Sequence, residues 1–319
     1  MPTYRVFGRR LRSELEIPEL PADPDGPEDW TLHVLPAVAG PPHESQLLGQ
    51  DEVDTGINVR LFASPSSLWL HFDDTGCFEI AREGTTIRWY APSAEVAHLA
   101  HLDILGRVLA TALHAQGMLC LHGSGVCVGD QAIGFLAPKF HGKSTTALAL
   151  VRAGARLVTD DTLVVKPGIP AMAHPGVHVA RLWPDSADRL IDDPAARAGK
   201  QRAKHDVTDL PEGQRMQRPS PLAALYLLSP VKPAPDRPSV ERTQLDPMRA
   251  ALALVGHGKL TALFGGVQGA NTLERAIEVA RSVPVYQLAI VRDFAKLDHV
   301  VSLIGEWHGG LPAGGWADA

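Results

Sequence analysis

Over residues 1 to about 95 the hydrophobic positions fall in short runs: WTLHVLP, INVRLFAS, SLWLHFDD, CFEIARE and TTIRWYAP. The runs are rich in branched and aromatic side chains and are separated by Gly, Asp, Pro and Ser, the pattern of strands joined by turns. LHFDDTGCFEI predicts a hairpin turning at Asp73-Asp74-Thr75-Gly76. Between Pro18 and Pro42 the density of Pro, Asp and Gly predicts long loops. The period changes at Pro92-Ser93. Val96, Leu99, Leu102, Leu105, Leu109 and Leu113 then recur at helical spacing. That spacing predicts a helix from Glu95 to His114, with Ser93 as N-cap and Gly117 after its end.

A compact alternation follows. Met118 to Val128 reads as a strand, Gly129-Asp130 as a tight turn and Ala132 to Leu136 as a second strand. A loop leads into a helix from Gly142 to about Ala153, stopped by Gly154. The strand Ala155 to Val158 runs into Thr159-Asp160-Asp161, and Leu163 to Val165 continues extended. Residues 192 to 220 are polar and punctuated by proline, which predicts a surface loop with a broken helix. PLAALYLLS and VPVYQLAIV read as strands, and Asp246 to Phe264, Asn271 to Arg281 and Phe294 to Trp307 as helices. The expected architecture is a β-rich domain over 1–95 followed by an α/β domain over 96–319. No repeat of fixed period is visible.

Composition narrows the field. The 319 residues are enough for one large or two modest domains, and 45% hydrophobic with 21% charged is an ordinary globular balance. A net charge of −6 gives no reason to expect a nucleic-acid partner. Three cysteines, Cys77, Cys120 and Cys127, are too few for a disulfide framework or zinc site, and the latter two sit in apolar runs as small hydrophobes. The start, MPTYRVFGRR, lacks the apolar run of a signal peptide, and no segment approaches the ~20 apolar residues of a membrane span. A cytoplasmic protein without a membrane partner is the expectation.

The candidate chemistry lies in LAPKFHGKSTTAL, Leu136 to Leu148. Its tail, Gly142-Lys143-Ser144, matches a phosphate-binding loop (Walker A), but Ala137 stands where that motif has its first glycine. A strand, this turn and a helix N-terminus together aim backbone N–H groups and a helix dipole at an anion. Lys143 can reach terminal phosphates and the Ser144 hydroxyl can ligate Mg²⁺. Ala137 serves if its φ is negative, and Pro138 stiffens the entry. Lys139 either adds charge over the phosphates or is solvated, and Phe140 and His141 fill positions that are often small. Asp160-Asp161 end the next strand, where open α/β sheets place active-site groups. One carboxylate can help hold Mg²⁺ and the other can take the proton of an attacking hydroxyl. Taken alone, the pair is also good turn chemistry. His122 lies in LHGSGV. A histidine in an apolar strand is usually a packed core residue, but Gly123, Ser124 and Gly125 point to close approach of a backbone or ligand.

In order and spacing, LHGSGV, GFLAPKFHGKSTTALAL and VRAGARLVTDD closely resemble the catalytic domain of the HPr kinase/phosphorylase family over about residues 100 to 166. SELEIPELP, HPGVHVARLWPD and VPVYQLAIVRDF resemble the HPr-kinase-like serine kinases found with peptide natural-product clusters, the lasso-peptide type among them. The resemblance implies a P-loop, carboxykinase-related α/β catalytic domain preceded by a smaller β-rich domain. It implies that residues Ala137, Pro138, Lys139, Phe140, His141, Gly142, Lys143, Ser144 and Thr145 cradle ATP or a related nucleotide. It also implies Mg²⁺ at Ser144, Asp160 and Asp161, acid/base roles for Asp160 and Asp161, a catalytic role for Lys143, and His122 in the active-site wall. The bifunctional family's second signature, bearing a glutamate and an arginine, is not found. HPGVHVARLWPD occupies roughly its place with Arg181, which argues against phosphorylase activity and against action on the HPr carrier.

Three functions fit these readings. The first is an ATP- and Mg²⁺-dependent kinase acting on a hydroxyl, most simply a serine of a peptide or protein. Its β-rich front would grip an extended peptide by strand addition. The basic positions Arg197, Lys200, Arg202 and Lys204 either fold over donor or acceptor or are simply solvated. The second is a non-catalytic nucleotide-binding module, against which the retention of Lys143, Ser144, Asp160 and Asp161 argues. The third is a small-molecule kinase or carboxykinase-like enzyme, which would need further metal ligands.

Overall fold

The computed structural model describes residues 1–190, 197–201, 204–207, 210–234 and 238–311. Contacts divide the chain into two compact units, Met1–Cys120 with Gly258–Arg275, and Leu121–His257 with Ala276–Ala319. This grouping differs from the division at residue 95 expected from the sequence. The long helical run after residue 93 and a later excursion of the chain both belong with the β-rich front.

In the first unit, eight strands form one sheet. They are β1 (Thr3–Val6), β2 (Arg9–Ser13), β3 (Trp30–Pro36), β4 (Gln46–Asp54), β5 (Ile57–Ala63), β6 (Ser67–Phe72), β7 (Gly76–Ala81) and β8 (Thr86–Ala91). Their spatial order is β1-β2-β3-β8-β7-β6-β5-β4, with β2–β3 and β3–β8 parallel. The five expected runs are β3 and β5 to β8, and the Asp73–Gly76 turn joins β6 to β7 as an antiparallel pair. β1, β2 and β4 have no counterpart in the hydrophobic pattern, because RRLRS and QLLGQDEVD are too polar to read as half-buried strands. The outer edge of β1 is already engaged: Arg5 N donates to the Pro21 carbonyl at 2.9 Å and Asp23 N to the Thr3 carbonyl at 2.8 Å.

Trp30, Phe72, Phe78 and Trp89 are fully buried, and Phe78 stacks on Trp89 with centroids 5.9 Å apart. Trp89 Nε1 donates to the Thr75 carbonyl at 2.8 Å, and the Thr75 hydroxyl donates to the buried Asp103 carboxyl at 2.7 Å. That chain of bonds ties the hairpin turn to helix α1 (Ala97–Asp103). A π-helical stretch over Ile104–Val108 connects α1 to α2 (Leu109–Ala115), so the helix read from the sequence is present but interrupted. Ser93 occupies the N-cap position without a side-chain capping bond, and Gly117 is left-handed at φ 86. The run Ala94–Ala115 is 22 residues long and contains an 18-residue window with a mean hydropathy of 1.3, so one segment does reach the length and composition of a membrane span. Its most apolar window is 56% buried, and core helices meet the same criterion.

Gly84, after β7, has φ +70, and a Cβ there would sit 2.4 Å from the Ala112 carbonyl oxygen. Left-handed strain and overpacking therefore act together in Gly84→Ala. Chemical denaturation of this variant is expected to show a loss of about 3 kcal/mol.

The second unit is built from β9 (Leu119–Val128), β10 (Gln131–Leu136), α3 (Lys143–Arg152), β11 (Arg156–Thr159), β12 (Thr162–Lys166), β13 (Met172–His174), β14 (Ala180–Leu182) and α4 (Pro184–Leu190). It continues through β15 (Arg197–Gln201), β16 (Lys204–Val207), β17 (Ser220–Val231), β18 (Val240–Gln244), α5 (Pro247–Gly256), α6 (Gly266–Ser282, which begins in the first unit), β19 (Val285–Val291) and α7 (Leu297–Trp307). The main sheet runs β10-β9-β12-β13-β17-β19-β18, and β11 adds to β9. A further β10–β17 pairing closes five of these strands on themselves. β10, β17 and β19 run parallel to one another, so their C-terminal ends share one side.

β17 is buried along most of its length, as a central apolar strand must be. α3 buries Ala147, Leu148, Leu150 and Val151 against Phe135, Tyr226 and Leu288 of the sheet and Val300 and Ile304 of α7. This anchorage fixes the N-terminus of α3 at the end of β10. Two expectations need correction. The described parts of 192–220 contain β15 and β16, which pair with β14 in a small sheet, rather than a loop with a broken helix. Arg202 lies outside the described residues. The helix expected over Asp246–Phe264 ends at Gly256. Asp246 caps it by accepting from Met248 N and Arg249 N, and Gly256, His257 and Gly258 are too weak as helix formers to extend it.

Candidate functional site

The loop between β10 and α3 turns through two left-handed residues, Phe140 at φ 68 and Gly142 at φ 87. Ala137 is buried and keeps a non-positive φ, which is the condition under which it can replace glycine. Gly142 stands at the N-cap of α3, and no side chain caps the helix there. Its first-turn N–H groups have no acceptor within the helix, which makes this end a natural anion seat. Lys143 is 8% exposed, and its ammonium donates to the Ala137 carbonyl at 2.7 Å and the Pro138 carbonyl at 3.1 Å. Its charge is thus held against the loop it belongs to. His141 Nδ1 donates to the Lys139 carbonyl at 2.8 Å. The exposed Phe140 ring stacks on Trp183, with centroids 4.6 Å apart.

The acidic pair splits into two environments. Asp160 is buried, and its Oδ1 accepts from the Ser144 hydroxyl at 2.9 Å and from the Ser124 hydroxyl at short range. Asp161 has φ 77, a backbone state that Asp tolerates better than most side chains, and its carboxylate is 39% exposed. Its carbonyl accepts from Gly123 N at 3.3 Å and from His122 Nδ1 at 3.2 Å, while its Oδ1 lies 3.3 Å from the same His122 nitrogen. His122 N donates to the His257 carbonyl at 2.7 Å. Burial lowers the pKa of the His257 imidazole, and the nearby Lys143 and His122 lower it further.

One cavity of about 120 Å³ is walled by His122, Lys139 to Thr145, Asp160 and Asp161, joined by Leu182 and Trp183. Of the residues assigned from the sequence to nucleotide, metal or catalysis, the structure brings together all except Ala137 and Pro138. Those two contribute their carbonyls to Lys143 instead. No protein-family model matches the chain, and no curated protein matches it. Among solved structures it is similar to one described as the Hpr(Ser) kinase/phosphatase from Coxiella burnetii, with 12% identity and a TM-score of 0.31. That alignment covers 59% of this chain and 95% of the other. This is a distant likeness of fold alone.

Ser124, Trp183 and His257 belong to the surroundings of the cavity without having been singled out as site residues. Ser124 had a signal: it lies two residues from His122 on one strand and so shares its face. Gly123, between them, is explained by packing, since a Cβ there would lie 2.7 Å from the Phe135 carbonyl oxygen. Trp183 and His257 arrive from distant segments, and nothing local in the sequence marks them.

Proposed function

We propose that the chain is an ATP- and Mg²⁺-dependent kinase that transfers a phosphoryl group to a hydroxyl, most simply a serine of a peptide or protein. What carries this reading is the convergence of Lys143, Ser144, Asp160, Asp161 and His122 on one small cavity at the N-terminus of α3. A phosphate chain in that cavity meets the helix-end N–H groups and the Lys143 ammonium, which turns from the loop carbonyls to the phosphate oxygens. Ser124, Ser144 and Asp160 present hard oxygen donors at one point, the chemistry that suits Mg²⁺. Among the described residues no group of three or more His, Cys, Asp or Glu is arranged to hold a metal. A Mg²⁺ ion needs no such cage when it is held by one or two carboxylates and the substrate phosphates. Bound there, it would neutralise charge on the transferring phosphoryl group.

Asp161 is the more exposed carboxylate and is the candidate general base. Its part is to orient the acceptor hydroxyl and take its proton as the new P–O bond forms and the bond to the leaving diphosphate breaks. His122 holds Asp161 through both its carbonyl and carboxylate. The acceptor as a peptide rests on the resemblance to the serine kinases of peptide natural-product clusters, and strand addition would use the β4 edge rather than the engaged edge of β1. The metal assignment has its own test. ATP affinity, measured by calorimetry with and without Mg²⁺, is expected to rise at least tenfold with the metal. Asp160→Asn is expected to abolish that gain while leaving metal-free ATP binding within about twofold. An unchanged Mg²⁺ gain in the variant contradicts the assignment.

A further inference from the structure

A second cavity of about 520 Å³ shares Phe140, His141, Gly142, Thr145 and Trp183 with the first. We infer that it receives the base and ribose of the nucleotide whose phosphates occupy the smaller cavity. The inference rests on the phosphate-binding reading above and adds to it the seat of the nucleoside.

Size is the first argument. At about 120 Å³ the phosphate cavity is below the roughly 300–1,000 Å³ typical of small-molecule pockets, whereas the second falls inside that range. A nucleotide anchored at the α3 N-terminus must therefore extend beyond the first cavity, and the second adjoins it along the shared residues. Position is the next argument. Leu228 and Pro230 lie toward the C-terminal end of β17, and Ile290 and Val291 at that of β19, beside the loop that follows β10. In α/β folds, closed or open, ligands bind beyond the carboxyl ends of the parallel strands.

The wall chemistry fits a flat aromatic ring with a polar flank. Leu228, Ile290 and Phe294 supply apolar surface, and the stacked Phe140–Trp183 pair stands between the two cavities. Thr145 and Ser186 face the same space with hydroxyls 2.9 Å apart, and Arg292 and Asp293 form an exposed charged edge. Phe140 is 59% exposed in a left-handed conformation, and the loop holds this large ring outward where shorter residues would do for phosphate binding alone. A base-stacking surface accounts for that placement.

Calorimetry with MgATP and Mg-tripolyphosphate, which carries the phosphates without the nucleoside, tests the inference. The protein is expected to bind MgATP about tenfold or more tightly than Mg-tripolyphosphate, the gain typical of one stacked base. Ile290→Trp, which fills the cavity, is expected to weaken ATP about tenfold and leave tripolyphosphate within about twofold. Phe294 is 41% exposed, so Phe294→Ala removes a wall with little risk to folding and should weaken ATP alone, by about threefold or more. Equal affinity for the two ligands, or variants that leave ATP binding unchanged, overturns the nucleoside site while the phosphate seat stands. Binding of neither ligand by the unaltered protein overturns the phosphate reading and this inference with it.

Discussion

Asp161→Asn is expected to slow phosphoryl transfer by about 10²–10⁴-fold, the usual contribution of a general base, and to leave the ATP dissociation constant within about threefold. The choice of asparagine matters. Residue 161 sits at φ 77, and Asn and Asp are the non-glycine residues that tolerate this conformation most readily. The carbonyl that anchors Gly123 N and His122 Nδ1 therefore stays in place, whereas alanine would add backbone strain to the loss of the carboxylate. Asn keeps the shape and removes the proton acceptor. Single-turnover transfer from γ-labelled ATP, alongside calorimetric ATP binding, separates the two effects. A matching loss of ATP binding would move Asp161 from the base to the nucleotide seat.

Lys143→Met is expected to lower transfer by about 10²–10³-fold, the scale for removing one charged donor aimed at transition-state charge. Methionine retains a long apolar stem in a position that is only 8% exposed, so packing around the first turn of α3 changes little. Two loop carbonyls, those of Ala137 and Pro138, lose their donor. A modest loss of thermal stability is expected with the loss of transfer, because both carbonyls lose a charged hydrogen-bond donor. Lys143→Arg is not expected to restore activity, since a planar guanidinium does not fit where a compact ammonium reaches two carbonyls of a tight loop. Normal transfer by Lys143→Met would remove the loop from the chemistry.

The candidate site was legible because its parts are local or nearly so. The loop, the acidic pair at the end of β11 and the histidine on β9 sit within about forty residues, and strand-turn-helix patterning fixes how they meet. The different duties of Asp160 and Asp161 were not legible. They depend on Ser124 and Ser144 reaching one carboxylate and His122 the other, which is a matter of register between β9 and β11. Trp183 and the strand ends of β17 and β19 come from segments far along the chain. The parallel pairing of β10, β17 and β19 brings the strand ends to the loop, and Trp183 reaches it from the end of β14 through its stack on Phe140. In the first unit the pattern located the strands with apolar faces and missed β1, β2 and β4. β1 is only four residues long, and polar and charged residues in β2 and β4 mask the pattern, although β1 and β2 bury Tyr4, Val6 and Leu11 in alternation. The early end of α5 follows the same logic. Apolar spacing continues past Gly256, but the Gly-His-Gly sequence does not support a helix.

The most direct measurement is transfer of label from γ-labelled ATP with Mg²⁺ to a library of serine-containing peptides, read by mass spectrometry and repeated with Asp161→Asn. The kinase account predicts phosphate on a serine hydroxyl of at least one peptide class, dependent on Mg²⁺ and lost in the variant. Tight ATP binding with no transfer to any peptide would contradict it and leave a non-catalytic nucleotide-binding module. Transfer to a small metabolite alone would contradict the peptide acceptor and keep the kinase.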